Sequence, residues 1–188
     1  MTAASRRVVL VVVVGILVVL AVVVALLLRD DAGGAEQRPA GLDDVKTYEP
    51  DRDHVESEVD YDQSPPVGGP HDPAWQNCGV YDRPVREENA VHTLEHGAVW
   101  ITYQSGLSAE QIDGLEEKLP EKGLLSPYED QAAPVVVTVW GAQLDLDGPD
   151  DPRLDLFLEE YSDGHTSPEP EVTCLGGVEE FDDPQPNV

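Results

Sequence analysis

Positive charge is scarce in this chain: 11 Lys and Arg stand against 38 Asp and Glu, for a formal net charge of −27. Every acidic residue lies beyond Leu28, and only Arg6 and Arg7 among the basic residues precede it. Such a surface repels nucleic-acid phosphates and anionic lipid headgroups, so neither is an expected partner. The carboxylates are spread along the chain, which points to solubility or a salty habitat rather than to an acidic tail with a task. Cysteine is limited to Cys78 and Cys174, neither of them in a C-x-x-C pair. That weighs against a thiolate metal centre and leaves one disulfide as the simplest use of the pair outside the cytoplasm. On the chain-entropy model, closing so long a loop stabilises a fold by ~4–5 kcal/mol. No G-x-S-x-G elbow, G-x-x-x-x-G-K loop or G-x-G-x-x-G turn occurs, so serine hydrolase, P-loop and dinucleotide chemistries have no motif here. Ser105-Gly106 reads as a turn, and there is no internal repeat.

One long hydrophobic run is present. From Val8 to Leu28 the chain reads "VVLVVVVGILVVLAVVVALLL", without a charged or polar side chain. At about 1.5 Å per residue a helix of this length crosses a hydrocarbon core of about 30 Å. It is too long for the apolar part of a cleaved signal, and no small-x-small site follows directly, so it reads as a signal anchor. Cleavage would change attachment but not compartment. "SRRVVL" is a weak match to a twin-arginine signal. Arg6 and Arg7 before the run place the N-terminus in the cytoplasm and the rest outside. The expected organisation is a cytoplasmic tail over 1–7, a single-pass transmembrane anchor over 8–28 and a Gly/Pro-bearing stalk over 29–50. One extracytoplasmic globular domain over 51–177 and a flexible tail over 178–188 complete it.

Within the domain, Ala98–Tyr103 ("AVWITY") and Val135–Leu144 ("VVVTVWGAQL") are β-branched and aromatic and read as strands. Between them Ser108 and Gln111 form a capping box, and Ile112, Leu115 and Leu119 give the apolar face of a helix. A further helix is expected from Asp151 as N-cap, with Pro152 in its first turn and Leu154, Phe157, Leu158 and Tyr161 facing inward. This order predicts an α+β fold, or a small α/β one, with helices packed on a small sheet. The Pro-, Gly- and Asp-rich half from Asp51 wraps around that core, tied down by Cys78. Trp100 and Trp140 are expected in the core. Trp75, beside the rigid "PPVGGPHDP" turn, is either core or a peptide- or glycan-contacting surface.

The segment "REENAVHTLEHG" can form a short helix stopped by Gly97, with Glu87 and Glu88 favourable in its first turn. Residues i and i+4 share a helix face, so His92 and His96 would present two imidazoles to one point. Glu95 between them completes the letter pattern of inverted zinc metalloproteases, where the glutamate is the general base. The structural alternative is that both histidines bond to backbone and cap the helix. Two more histidines count against it: His71, at the end of the Pro/Gly turn, and His54 in "DRDHVE". His165 reads as a solvated loop residue.

The run Tyr61–Tyr103, with its "CGVYD" and H-x-L-E-H-G blocks, resembles the signature of the bacterial family catalogued as domain of unknown function 3105, common in actinobacterial membrane-anchored proteins. The likeness extends from about His54 through Cys174 in "EVTCLGG". It implies an anchored extracytoplasmic domain and no activity. Three functions follow from the residues. The first is a metal-binding module for Zn²⁺ or Cu²⁺, with His92, His96 and His71 as ligands and His54 or Glu95 completing the site. The second is a small metal-dependent hydrolase with Glu95 as base. The third is a non-catalytic envelope interaction domain with structural histidines.

Overall fold

The computed structural model describes residues 41–179. The expected cytoplasmic tail, the anchor over 8–28, most of the stalk and the end of the tail lie outside the described residues. Among the described residues no helix is long and apolar enough to cross a membrane.

A six-stranded mixed sheet organises the domain. Its strands are β1 (Lys46–Thr47), β2 (Gly79–Val80), β3 (Val99–Tyr103), β4 (Gly123–Pro127), β5 (Val135–Val139) and β6 (Ala142–Leu146), in the order β1-β6-β5-β3-β4-β2. The helices are α1 (Glu87–Glu95), α2 (Ala109–Lys118) and α3 (Arg153–Tyr161). Strand β4 runs parallel to β3 and to β2, whereas β3–β5, β5–β6 and β6–β1 are antiparallel. The α2 connection between β3 and β4 is therefore a βαβ crossover inside a mixed sheet, with β2, β4 and β3 parallel and the other pairs antiparallel, and α+β describes the fold.

The two central strands are buried along their full length, because both faces of the sheet are covered. Side chains alternate across a strand, so Val99, Ile101 and Tyr103 join Val135, Val137 and Val139 on one face with Leu115, Leu154 and Phe157 from α2 and α3. On the other face Trp100 and Leu124 pack with Ala90, Val91 and Leu94 of α1 and with Trp140. The capping box of α2 forms as expected, Ser108 Oγ accepting from Gln111 N–H and Gln111 Oε1 from Ser108 N–H.

Several expectations are corrected. Val135–Leu144 is not one strand but a hairpin: the chain reverses at Trp140-Gly141, where Gly141 takes φ +73° and its N–H donates to Val67 O at 2.7 Å. Strand β4, "GLLSP", had no place in the expected order. Helix α3 begins at Arg153, one position late for an Asp151 cap, although Asp151 Oδ1 still accepts the Arg153 N–H at 3.0 Å. The fold also starts before Asp51, since Leu42 is fully buried and β1 pairs with β6. At the other end Val178 N–H still donates to Trp75 O at 2.8 Å. Cys78 and Cys174 form a disulfide, S–S 2.07 Å, spanning 96 residues.

Candidate metal centre

Helix α1 and two loops build the centre. The helix brings His92 and Glu95 to one face, three residues apart, where side chains are neighbours. The Pro/Gly turn supplies His71. Gly68, at φ +139°, lets this turn lie against the hairpin, since a Cβ there would meet Pro50 Cγ at 2.5 Å and Trp140 Cδ2 at 3.3 Å. His71 itself is fully buried and its ring meets Trp140 edge-on, centroids 5.8 Å apart. His54 arrives from the preceding loop, clipped beside His71 by two backbone bonds: Val55 N–H to His71 O at 2.7 Å and His71 N–H to Asp53 O at 2.9 Å.

One ligand atom from each of His54, His71, His92 and Glu95 lies within 4.8 Å of every other, so the four could hold a metal ion. Glu95 Oε2 is their shared neighbour, 3.1 Å from His71 Nε2, 3.8 Å from His54 Nε2 and 4.0 Å from His92 Nε2.

The tautomers of two rings follow from their supports. His71 Nδ1 faces Gly69 O at 2.8 Å and His92 Nδ1 faces Asp72 O at 2.7 Å. A carbonyl oxygen only accepts, so each Nδ1 must carry the proton and donate it. When the rings are neutral, each Nε2 is left with a bare lone pair aimed at the Glu95 side. Backbone-anchored Nδ1 with free Nε2 is the support that metal-ligating histidines use. Burial lowers the pKa of both His71 and His92 below the usual 6.5, so they stay neutral in near-neutral solution. Burial also raises the Glu95 pKa, with Glu169 adding to the rise and His92 opposing it. An Nε2 lone pair 3.1 Å from a carboxylate oxygen is repulsive unless a cation lies between them, a proton or a metal ion.

Of the histidines singled out in the sequence, the structure thus brings together His54, His71 and His92 and leaves His96 outside the group. His96 occupies the C-cap of α1 (φ −78°, ψ 7°), and its Nδ1 donates to Thr173 O at 3.0 Å. Burial, then His92, pushes its pKa down to about 4. His96 thus makes a backbone bond of the kind the structural alternative expects, with the same Nδ1 anchoring as His71 and His92. Its ring nevertheless lies 4.7 Å from that of His92, centroid to centroid, so the i,i+4 spacing does bring the two imidazoles together, while the four-residue group forms with Glu95, three residues from His92. Trp75 is half-buried: its ring lies against His92 and His96, centroids 5.8 and 5.1 Å away, with Nε1 buried. Trp100 and Trp140 are core as expected, Trp140 at the hairpin turn rather than within a strand. His165 is exposed on its loop and bonds to Asp163. The Gly69 and Asp72 carbonyls, which orient the imidazoles, carry no residue-type signal that a sequence could show.

The family model described as "Protein of unknown function (DUF3105)" matches residues 54–176. This is more than half of the chain, which therefore belongs to that family. The matched span opens on His54 and includes the other three clustered residues and both cysteines. No curated protein and no solved structure matches the chain.

Proposed function

We propose that this domain is a metal-binding module whose ligands are His71, His92, Glu95 and His54. The observation that supports it is the convergence of the imidazole nitrogens on Glu95 Oε2, with the His71 and His92 lone pairs fixed by Nδ1–H donation. A single proton answers the repulsion in one pair, whereas one divalent ion answers it in all. Three imidazoles and a carboxylate, without thiolate or thioether, suit Zn²⁺ or Cu²⁺. Tetrahedral zinc with bonds of about 2.1 Å separates its donors by ~3.4 Å, and the 3.1, 3.8 and 4.0 Å spacings around Glu95 bracket that value. A tetrahedral arrangement would favour Zn²⁺, with Cu²⁺ as the competitor by affinity.

The hydrolase reading needs both histidines of the H-x-x-E-H string on one ion and Glu95 free to act as base. His96 lies outside the four-residue group, its Nδ1 bonded to Thr173 O, and Glu95 Oε2 lies among the imidazole nitrogens, which supports Glu95 as a ligand rather than a free base. On the same proposal the Val8–Leu28 run tethers the domain to the outer face of a cytoplasmic membrane, supported by its length and by Arg6 and Arg7. Protease added to intact spheroplasts should then remove the domain, and protection of the domain would invert the topology.

Metal content tests the main reading. The untagged protein, reconstituted with Zn²⁺ or Cu²⁺ and desalted, should retain one ion per chain by mass spectrometry. Glu95→Gln should weaken retention itself. Stoichiometry near zero in the unsubstituted protein overturns the proposal, and full retention by Glu95→Gln removes Glu95 from the ligand set.

A further inference from the structure

The four clustered residues are not held alike. The side chains of His71, His92 and Glu95 are 0%, 7% and 5% exposed, whereas that of His54 is 52% exposed. The His71 and His92 rings are each fixed at Nδ1 by a backbone carbonyl. The ring of His54 makes no hydrogen bond among the described residues; its neighbours are Glu95 at 3.8 Å, the edge-on ring of His71 at 4.9 Å and the stacked face of His92 at 5.0 Å. Its backbone is another matter, because the clip to His71 keeps the residue at the rim of the site. Side-chain rotation can therefore carry the imidazole away from the centre without moving the loop.

We propose, resting on the metal reading above, that His54 is the exchange ligand: an ion enters and leaves this centre over His54, by handover to an external chelating donor. The buried trio His71, His92 and Glu95 retains the ion, and of the four His54 is the one that faces solvent. In the exchange step an incoming nitrogen or oxygen donor forms a bond to the metal as the His54 Nε2–metal bond breaks. The freed Nε2 lone pair then accepts a hydrogen bond from water. No electron is transferred and the oxidation state of the ion is unchanged. The remaining three bonds are replaced in turn as the chelator wraps the ion. The acidic surface of the chain favours this traffic, since it concentrates cations near the rim. Glu169, exposed and near enough to act electrostatically on His71, Glu95 and His96, adds to the local negative potential.

The test is a transfer experiment with the untagged 188-residue chain, loaded with Zn²⁺ and mixed with the chromophoric chelator 4-(2-pyridylazo)resorcinol. The transfer rate should rise in proportion to chelator concentration. His54→Ala should still take up one Zn²⁺, with affinity lowered roughly tenfold, and should release it to the chelator roughly tenfold faster, because the gate is permanently open. His54→Gln, which keeps a polar side chain at the rim, should behave in the same way and guards against a folding defect in the alanine variant. His71→Ala should fail to load. Transfer from both His54 variants at the unsubstituted rate would overturn the exchange proposal while leaving the metal site intact, as would a rate independent of chelator concentration. Failure of the unsubstituted chain to load Zn²⁺ would instead sink the reading on which the proposal rests.

Discussion

Helices α1 and α2 are nearly equal in length and opposite in construction. Only Leu115 of α2 is buried, and the helix carries its own capping box at Ser108 and Gln111. In α1 every residue from Glu88 to Glu95 is buried, and its N-cap, Arg86, makes no side-chain cap bond. What holds α1 is its surroundings. Val59 N–H donates to Glu88, Gln76 N–H to Asn89 O, Asn89 Nδ2 to Ala74 O, and Thr93 Oγ1 to Gln76 O. At the far end Ser167 Oγ and Glu169 N–H both donate to Glu95 O. Buried polar groups are costly unless paired, and the loops of the first half and of residues 164–172 supply those pairs. Asn89 Oδ1 is left without a partner among the described residues, and the Nε2 atoms of His71 and His92 are aimed at a carboxylate with no proton of their own to offer. A surface helix such as α2 can be specified by its own residues, whereas a buried polar helix is specified by what it is built to hold.

The contrast can be broken at its strongest point first. His71→Ala or His92→Ala should lower Zn²⁺ affinity by more than ~100-fold, removing a ligand as well as its support. Unsubstituted protein with free metal at a thousand times Kd should gain about 4 kcal/mol of stability, seen as a raised Tm, and neither variant should gain it. Equal gains in variant and parent would show that the metal sits elsewhere.

On the opposite face of the sheet, Phe157→Ala should cost about 3–5 kcal/mol of stability in urea titration, by opening a cavity in the core where α3 packs on β5 and β6. Zn²⁺ stoichiometry in the folded variant should stay at the parental value. Loss of metal together with stability would mean that the two faces are not separable.

A pH scan in the presence of a chelator sharpens the comparison further. His71, His92 and His96 have folded-state pKa values below 6.5, His96 at about 4. Above pH 6.5 these rings are neutral in both folded and unfolded chains. As pH falls below 6.5 the unfolded chain takes up protons that the folded one refuses, so metal-free stability should fall continuously toward pH 4. The raised Glu95 pKa acts in the opposite direction above 4.5, because there the folded state holds the extra proton. Replacing His96 by Gln should flatten the slope, measured as Tm between pH 5 and 8, and an unchanged slope would contradict the assigned cause. The smallest effect is expected at Ser108→Ala, about 1 kcal/mol from the lost cap of α2, with no change in metal binding.

The legible parts of the sequence were those whose specification is local. The α2 capping box, the β-branched run of β3 and the apolar face of α3 each announce themselves within a dozen residues. Where two elements share one apolar texture the reading failed: Val135–Leu144 holds two strands because Gly141 permits a reversal that hydrophobicity does not mark. Strand β4 escaped because a five-residue "GLLSP" beside prolines lacks periodicity of its own. At the centre, spacing identified the right helix and brought the His92 and His96 rings to 4.7 Å, but i+3 and i+4 both lie near residue i, and spacing alone does not show that Glu95 is the residue that joins His92 in the cluster. His54 was recognised as a candidate by type alone. Its placement depends on backbone bonds to His71 across a loop, and backbone pairing of that kind leaves no trace in side-chain identity.

The central claim is that one divalent ion sits among His54, His71, His92 and Glu95. Anomalous diffraction from crystals of the untagged protein grown with Zn²⁺ and recorded across the zinc absorption edge tests it most directly. The account predicts one peak at about 2.0–2.2 Å from His71 Nε2, His92 Nε2 and a Glu95 carboxylate oxygen, with His54 Nε2 completing the shell in all or part of the molecules. Peaks confined to surface carboxylates, with none inside this cluster, would contradict it.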